Sequence, residues 1–220
     1  MDTILRRHTL PQKAYENLSQ VFDWATKEDY IRWFTGGDGR HRRTEVMLPR
    51  LVRKGKLTST RYHHKLVYAA PRLTKGKVWN IEHGLGITDG LVRLVISDRN
   101  VEIIPERWFK KHGYKIQPEF GLKYTNTILY FEFCTGDNAK RLWNLKSKIK
   151  RYEDITGLVL FVLDIDREAV CNLVHTLMPG GQFWFIDYQT FKQAPLGQQL
   201  TYPFYINGGR GDILPLKENA

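Results

Sequence analysis

The sequence predicts a mixed α/β (α+β) protein in two parts: a small N-terminal unit of three helices and a hairpin, then a larger unit built on a mixed sheet. Three observations predict it. Positive charge is segregated: up to Lys77 there are 17 Lys and Arg against 7 Asp and Glu, and beyond it 17 against 16, so the first third carries +10 of the net +11. Within that third, apolar residues recur at helical spacing and then give way to two short β-rich runs. Beyond it, β-rich runs alternate with helical ones, the pattern of a layered sheet domain. The charge step places the boundary at Leu73 to Lys77, giving domains 1–75 and 76–220. With 42% hydrophobic and 13% aromatic residues the chain can bury real cores.

The first helix runs from Pro11 to Trp24, with Ala14, Leu18, Val21 and Phe22 on one face and Pro11 in the first turn. Thr26 caps a short second helix carrying Tyr30, Ile31, Trp33 and Phe34, and Gly36-Gly37-Asp38-Gly39 ends it. A third helix, from about His41 to Lys54, is expected to turn Val46, Met47, Leu48, Leu51 and Val52 inward and to leave Arg40, Arg42, Arg43, Arg50, Arg53 and Lys54 outside. Pro49 is out of place there, since an interior proline costs about 3 kcal/mol. After Gly55, strands Lys56–Arg61 and Lys65–Ala70 are joined by Tyr62-His63-His64. Helix, helix, turn, basic helix, hairpin is the order of a winged helix-turn-helix. Its third helix fits a DNA major groove about 12 Å wide while the hairpin reaches neighbouring backbone. The candidate DNA-binding residues are Arg40, Arg42, Arg43, Arg50, Arg53, Lys54, Arg61, His63, His64 and Lys65. Arginine suits the role because its planar fork binds guanine edges or phosphate bidentately. A solvated basic face on a protein-binding domain is the alternative. For His63 and His64, a turn tip near phosphate is favoured over a metal site, because neighbouring strand residues point to opposite faces.

In the second part, Trp79–Ser97 reads as a helix interrupted at Gly84 and Gly86, with Leu91, Val92, Leu94, Val95 and Ile96 apolar. Strands follow from Val101, over Phe120–Tyr124 and over Thr127–Cys134, the last two turning at Thr125-Asn126. A helix over Asn138–Tyr152, a strand over Leu158–Leu163, a helix over Arg167–Met178 and a strand over Phe183–Ile186 come next. The tail after Ala194, rich in Pro and Gly, reads as loop, with Tyr202, Phe204 and Tyr205 available to pack on the domain. Cys134 and Cys171 are the only cysteines; both fall in apolar stretches and read as reduced core thiols.

The winged helix is followed by Ile81-Glu82-His83-Gly84-Leu85-Gly86-Ile87-Thr88-Asp89, Pro118-Glu119, Phe131-Glu132-Phe133 and Lys148-Ile149-Lys150-Arg151-Tyr152. From about Gln12 to Tyr188 this resembles the replication-relaxation family of plasmid and mobile-element proteins. The resemblance implies a restriction-endonuclease-like mixed-sheet second domain and a role in plasmid DNA replication or relaxation. Such a core carries an acid after a proline on one strand, and on the next an acid followed two positions later by lysine. Glu119 and Glu132 match the acids, and Mg²⁺ is the candidate cofactor they would hold through hard oxygen ligands. Cys134 stands where the lysine belongs. That leaves a fold without nuclease activity, unless Lys146, Lys148 or Lys150 supplies the charge; Lys146 and Lys148 join Glu119 and Glu132 as catalytic candidates. The plain alternative makes Glu132 a strand carboxylate paired with a basic residue and Glu119 a solvated loop acid. His83 is expected to be a hydrogen-bonded histidine at an interdomain contact, with the glycines beside it allowing tight packing.

The expected partner is therefore double-stranded DNA, with a homodimer and replication or transfer proteins as further candidates. A Mg²⁺-dependent DNA endonuclease and a dimeric transcription regulator are the rival functions. No apolar run approaches the roughly 20 residues that span a bilayer, and Met1 to Arg7 lacks a signal-peptide core, so a cytoplasmic, plasmid- or nucleoid-associated protein without a membrane partner is expected.

Overall fold

The computed structural model of the chain describes residues 11–37, 40–71, 78–96, 101–124, 127–134, 142–152, 158–164, 172–173, 183–194, 204–206 and 213–214. The chain divides into two compact units, Met1–Asn100 and Val101–Ala220. The division falls at Asn100 and not near residue 75, so the helix following the hairpin belongs to the first unit.

That unit is made of helix α1 (Pro11–Val21), strand β1 (Ala25–Thr26), helices α2 (Lys27–Thr35) and α3 (Arg42–Arg53), hairpin strands β2 (Thr58–Tyr62) and β3 (Lys65–Ala69), and helix α4 (Val78–Val95). A capping box starts α2: the Asp29 amide donates to Thr26 Oγ1 at 3.2 Å and the Thr26 amide donates to Asp29 Oδ2 at 2.7 Å. Gly36, at φ 79°, ends it in the left-handed region, where glycine has no Cβ to clash. Tyr15 of α1 stacks on Tyr30 and approaches Phe34 of α2, and its hydroxyl shares a 2.7 Å hydrogen bond with buried Thr44 of α3, so one ring ties three helices together. Strand order is β1-β3-β2, all antiparallel.

Helix α4 is continuous through Gly84 and Gly86, contrary to the interruption expected from those glycines. The reason is packing. A Cβ on Gly84 would lie 2.9 Å from Cδ1 of Trp24, so the glycine serves close approach and not a break. Around this contact Trp24, Val67, Ala69 and Ile81 form a buried cluster. Asp89 accepts from Arg93 on its own helix at 2.7 Å and from Arg32 of α2 at 3.1 Å. His83, expected between domains, is half-buried on α4 inside the first unit.

The second unit is a seven-stranded mixed sheet in the order β10-β9-β8-β7-β6-β5-β4. Its strands are β4 (Glu102–Pro105), β5 (Phe120–Lys123), β6 (Ile128–Cys134), β7 (Leu158–Leu163), β8 (Phe183–Asp187), β9 (Phe204–Ile206) and β10 (Ile213–Leu214); the helices bounded within the described residues are α5 (Glu106–Lys111), α6 (Leu142–Arg151) and α7 (Tyr188–Gln193). Strands β6, β7 and β8 run parallel, and antiparallel strands flank them on both sides. The apolar runs of β6 and β7 are buried nearly throughout, as central parallel strands require. On one face, Leu145, Ile149 and Tyr152 of the α6 segment pack with Tyr130, Phe161, Phe183 and Phe185. On the other, Phe120 stacks on Phe131 and Phe133 meets Phe191 of α7 edge to face. The tail expected to be loop instead supplies β9 and β10, because β8 would otherwise leave a row of backbone hydrogen-bonding groups unpaired.

The turn Thr125-Asn126, the start of the helix expected from Asn138, Cys171, Tyr202 and most of the helix expected over Arg167–Met178 lie outside the described residues. Among those described, no helix is long and apolar enough to cross a membrane.

Candidate functional site

Helix α3 has two unlike faces. Thr44, Leu48 and Leu51, spaced i, i+4, i+7, are buried, while Arg42, Arg43, Arg50 and Arg53 are exposed. Val46 does not point inward as expected. It is 60% exposed, because it lies almost diametrically opposite the Thr44, Leu48 and Leu51 stripe. Met47 and Val52 are half-buried, so the inward set is narrower than the apolar content of the helix suggests. At about 100° per residue, Arg42, Arg43, Pro49, Arg50 and Arg53 all fall within about 60° of Val46 around the axis. None of the four arginines forms an ion pair among the described residues. Pro49 is exposed on this same arc, so its ring meets no core neighbour. Arg40 before the helix and Lys54 at its C-cap are exposed as well.

The hairpin places Arg61, His63, His64 and Lys65 at its exposed end. Tyr62 pairs with Lys65, leaving a two-residue turn in which His63 (φ 44°) and His64 (φ 65°) both adopt positive φ. That is the pattern of a type I′ turn, usually filled by Asn-Gly. Histidines there leave their rings at the tip, at a cost in left-handed strain of about 1–2 kcal/mol per residue. The strands hold this register because Val67 and Ala69 are fixed in the Trp24 cluster.

In the second unit the structure brings together Glu119, Glu132 and Lys148. The Glu119 amide donates to the Phe131 carbonyl at 3.0 Å, one step off the register in which Phe120 pairs with Phe131, so Glu119 lies just before β5, beside the β6 residue that precedes Glu132. Phe120 and Phe131 stack on the far side of the sheet, so alternation along β6 sends Glu132 to the face covered by α6, and Lys148 of that helix reaches Glu119 as well. Two carboxylates gathered around one site repel. Lys148 offsets this: its ammonium donates to Glu132 Oε2 and lies 3.6 Å from Glu119. Tyr152 donates to the other Glu132 oxygen at 2.6 Å.

Glu132 is only 2% exposed. Burial pushes its carboxyl up, with Lys148 pulling the other way. Burial alone would lower Lys148, but the carboxylates of Glu132 and Glu119 hold it above the ordinary lysine range, so it stays charged. Burial and the same carboxylates keep Tyr152 protonated, the form that donates. Burial also pushes the Cys134 thiol up to about 12, so this group is neutral and cannot replace a lysine.

Lys146 and Lys150 are exposed and take no part, which corrects Lys146 as a candidate. The distinction is readable in the spacing: Leu145, Lys148, Ile149 and Tyr152 are spaced i, i+3, i+4, i+7, so Lys148 alone of the three lysines lies in the sheet-facing stripe. Tyr152, absent from the expected site, is marked by the same spacing. No group of three or more His, Cys, Asp or Glu that could hold a metal occurs among the described residues. The pair Glu119 and Glu132 nonetheless suits Mg²⁺ in kind, since that ion takes one or two carboxylates and completes its shell with water and phosphate. In the structure Glu132 has given both oxygens to Lys148 and Tyr152, and metal would have to compete with those bonds. No protein-family model matches the chain, and no curated protein matches it.

Proposed function

We propose that the chain is a double-stranded-DNA-binding protein whose first unit acts as a winged helix-turn-helix, with α3 in the major groove and the β2–β3 hairpin as the wing. One observation carries the reading: four arginines without ion pairs among the described residues share the outer arc of a helix whose opposite face is locked in the core. A face arranged only for solubility would mix both signs. Phosphates take up such charge with release of counterions, and guanine edges accept the arginine fork. The motif resemblance to the replication-relaxation family adds replication, relaxation or transfer of a plasmid, phage or integrated element as the setting. Footprinting on a plasmid library, with and without Mg²⁺, tests the reading. Protected sites that vanish in an Arg42→Ala, Arg43→Ala variant support it, and protection that survives the change removes it.

A second reading is favoured by the convergence of Glu119, Glu132 and Lys148, the geometry a restriction-endonuclease-like nuclease needs. Glu119 and Glu132 would hold Mg²⁺, which when bound activates water for attack on phosphorus. Lys148 would offset charge growing on the phosphate oxygens. The internal bonds of Glu132 weigh against it and favour a retained fold that binds without cutting.

A further inference from the structure

We infer that Val46 reads a pyrimidine 5-methyl group in the major groove and is the specificity-determining apolar contact of α3; this rests on the DNA-binding reading above. Val46 is the most exposed large apolar side chain among the described residues, at 60%. Its position is what gives that exposure meaning. It stands at the centre of the arc formed by Arg42, Arg43, Arg50 and Arg53, next to the exposed ring of Pro49 at i+3. Together Val46 and Pro49 make a small apolar spot ringed by guanidinium groups.

Valine is a poor choice for an exposed helix position on local grounds. Its β-branch lowers helix propensity, and it forms no ion pair or hydrogen bond with solvent. Single exposed apolar residues are common on surfaces, and what sets Val46 apart is its place at the centre of a basic arc. Valine also cannot hydrogen-bond to a base edge or to phosphate. Of the groups displayed in the major groove, the one apolar feature is the methyl on C5 of thymine, and a methylated cytosine displays the same group. The helix rise of about 1.5 Å per residue puts Arg42 and Arg50 each about 6 Å from Val46 along the axis. The arginines thus hold neighbouring guanines or phosphates while Val46 meets a methyl between them. Burying one methyl group against the valine strengthens binding by about three- to fivefold.

The test uses the full chain and a duplex enriched from a random pool by repeated selection. Each thymine in that duplex is replaced singly by uracil, which removes only the methyl, and each cytosine singly by 5-methylcytosine, which adds it. Affinities are measured for the wild type and for Val46→Ala, a substitution that leaves the core intact and raises helix propensity. The expected result is a loss of about three- to fivefold at one or two thymines with the wild type and none with Val46→Ala. A gain of that size on methylating one cytosine, again absent in Val46→Ala, assigns the methyl to modified cytosine instead and supports the same contact. Indifference to every methyl, or equal sensitivity in both proteins, overturns the inference while leaving DNA binding in place. A pool from which nothing is enriched overturns the DNA-binding reading and this inference with it.

Discussion

Lys148 and Glu132 form a charge-assisted pair between α6 and the centre of the sheet, and the same ammonium lies 3.6 Å from Glu119. Removing the cation strands a buried carboxylate. Lys148→Met should cost the second unit about 3 kcal/mol in urea unfolding, the usual penalty for breaking a buried pair from one side. Adding Glu132→Gln should recover a large part, because an amide needs no counter-charge. Equal stability of wild type and Lys148→Met would show that the pair is not closed in solution.

The same pair bears on cleavage. Supercoiled plasmid incubated with the wild type in Mg²⁺ or Mn²⁺ should stay supercoiled, because both oxygens of Glu132 are engaged and the neighbouring Cys134 is a neutral thiol that supplies no positive charge. Nicking by the wild type that disappears with Glu132→Ala would establish the nuclease reading; nicking equal in both points to a contaminant.

Binding to duplex DNA should weaken steeply with salt, log K falling by about 0.9 for each phosphate contact neutralised. Replacing Arg42, Arg43 and Lys54 by alanine should reduce that slope by up to roughly 3. All three side chains are exposed, so the thermal transition should not move. A slope unchanged by the triple substitution would place the DNA surface elsewhere.

Gly84→Ala should destabilise the first unit. The added methyl would sit 2.9 Å from Trp24 Cδ1 and 3.4 Å from both Trp24 Cβ and its backbone nitrogen, a position from which a tightly packed indole cannot easily retreat. Overpacking costs about 1–3 kcal/mol, against which the helix propensity of alanine contributes about 1. Thermal unfolding of the two proteins measures the net loss.

Asp29 gives the first unit a pH signature. Burial pushes its carboxyl up to about 6, against hydrogen bonds from Thr26 that pull it down. Between its ordinary value of 3.8 and about 6, the folded state keeps the proton and the unfolded state releases it. Stability from this group is therefore greatest at low pH and falls as pH rises through that window, by an amount of the order of 2–3 kcal/mol. An asparagine at this position has no proton to lose, so the stability difference between wild type and Asp29→Asn should change across about pH 4 to 6 and be flat above it. A constant difference across the window would mean that Asp29 ionises normally.

The elements most legible in the sequence are those whose local pattern and final environment agree. The run Leu158–Leu163 has the composition of a central strand and becomes one, and Thr26 announces the cap it makes. What stays hidden depends on partners distant in the chain. Nothing beside Gly84 reveals that Trp24 fills the space a side chain would take. Phe204–Ile206 is a strand because β8 needs a neighbour, a requirement invisible within a glycine-rich tail. The acidic pair is legible as two residue types at plausible positions, but the choice of Lys148 over Lys146 needs the stripe that α6 turns to the sheet. Val46 is misplaced when apolar character alone is read as burial, although the Thr44, Leu48 and Leu51 spacing already defines the inner face.

The turn at His63 and His64 has a consequence for how the first unit assembles. Both residues sit in a backbone region that the unfolded chain seldom visits. The tip therefore cannot nucleate the hairpin by closing first, as an Asn-Gly turn does. Zipping has to begin at the far end, where Val67 and Ala69 meet Trp24 and Ile81, and proceed outward, with the histidines ordering last. In a transition-state map the far end of β3 would then carry high φ-values and the tip values near zero, and an Asn-Gly tip would speed folding by opening a second, local route that the natural sequence has closed.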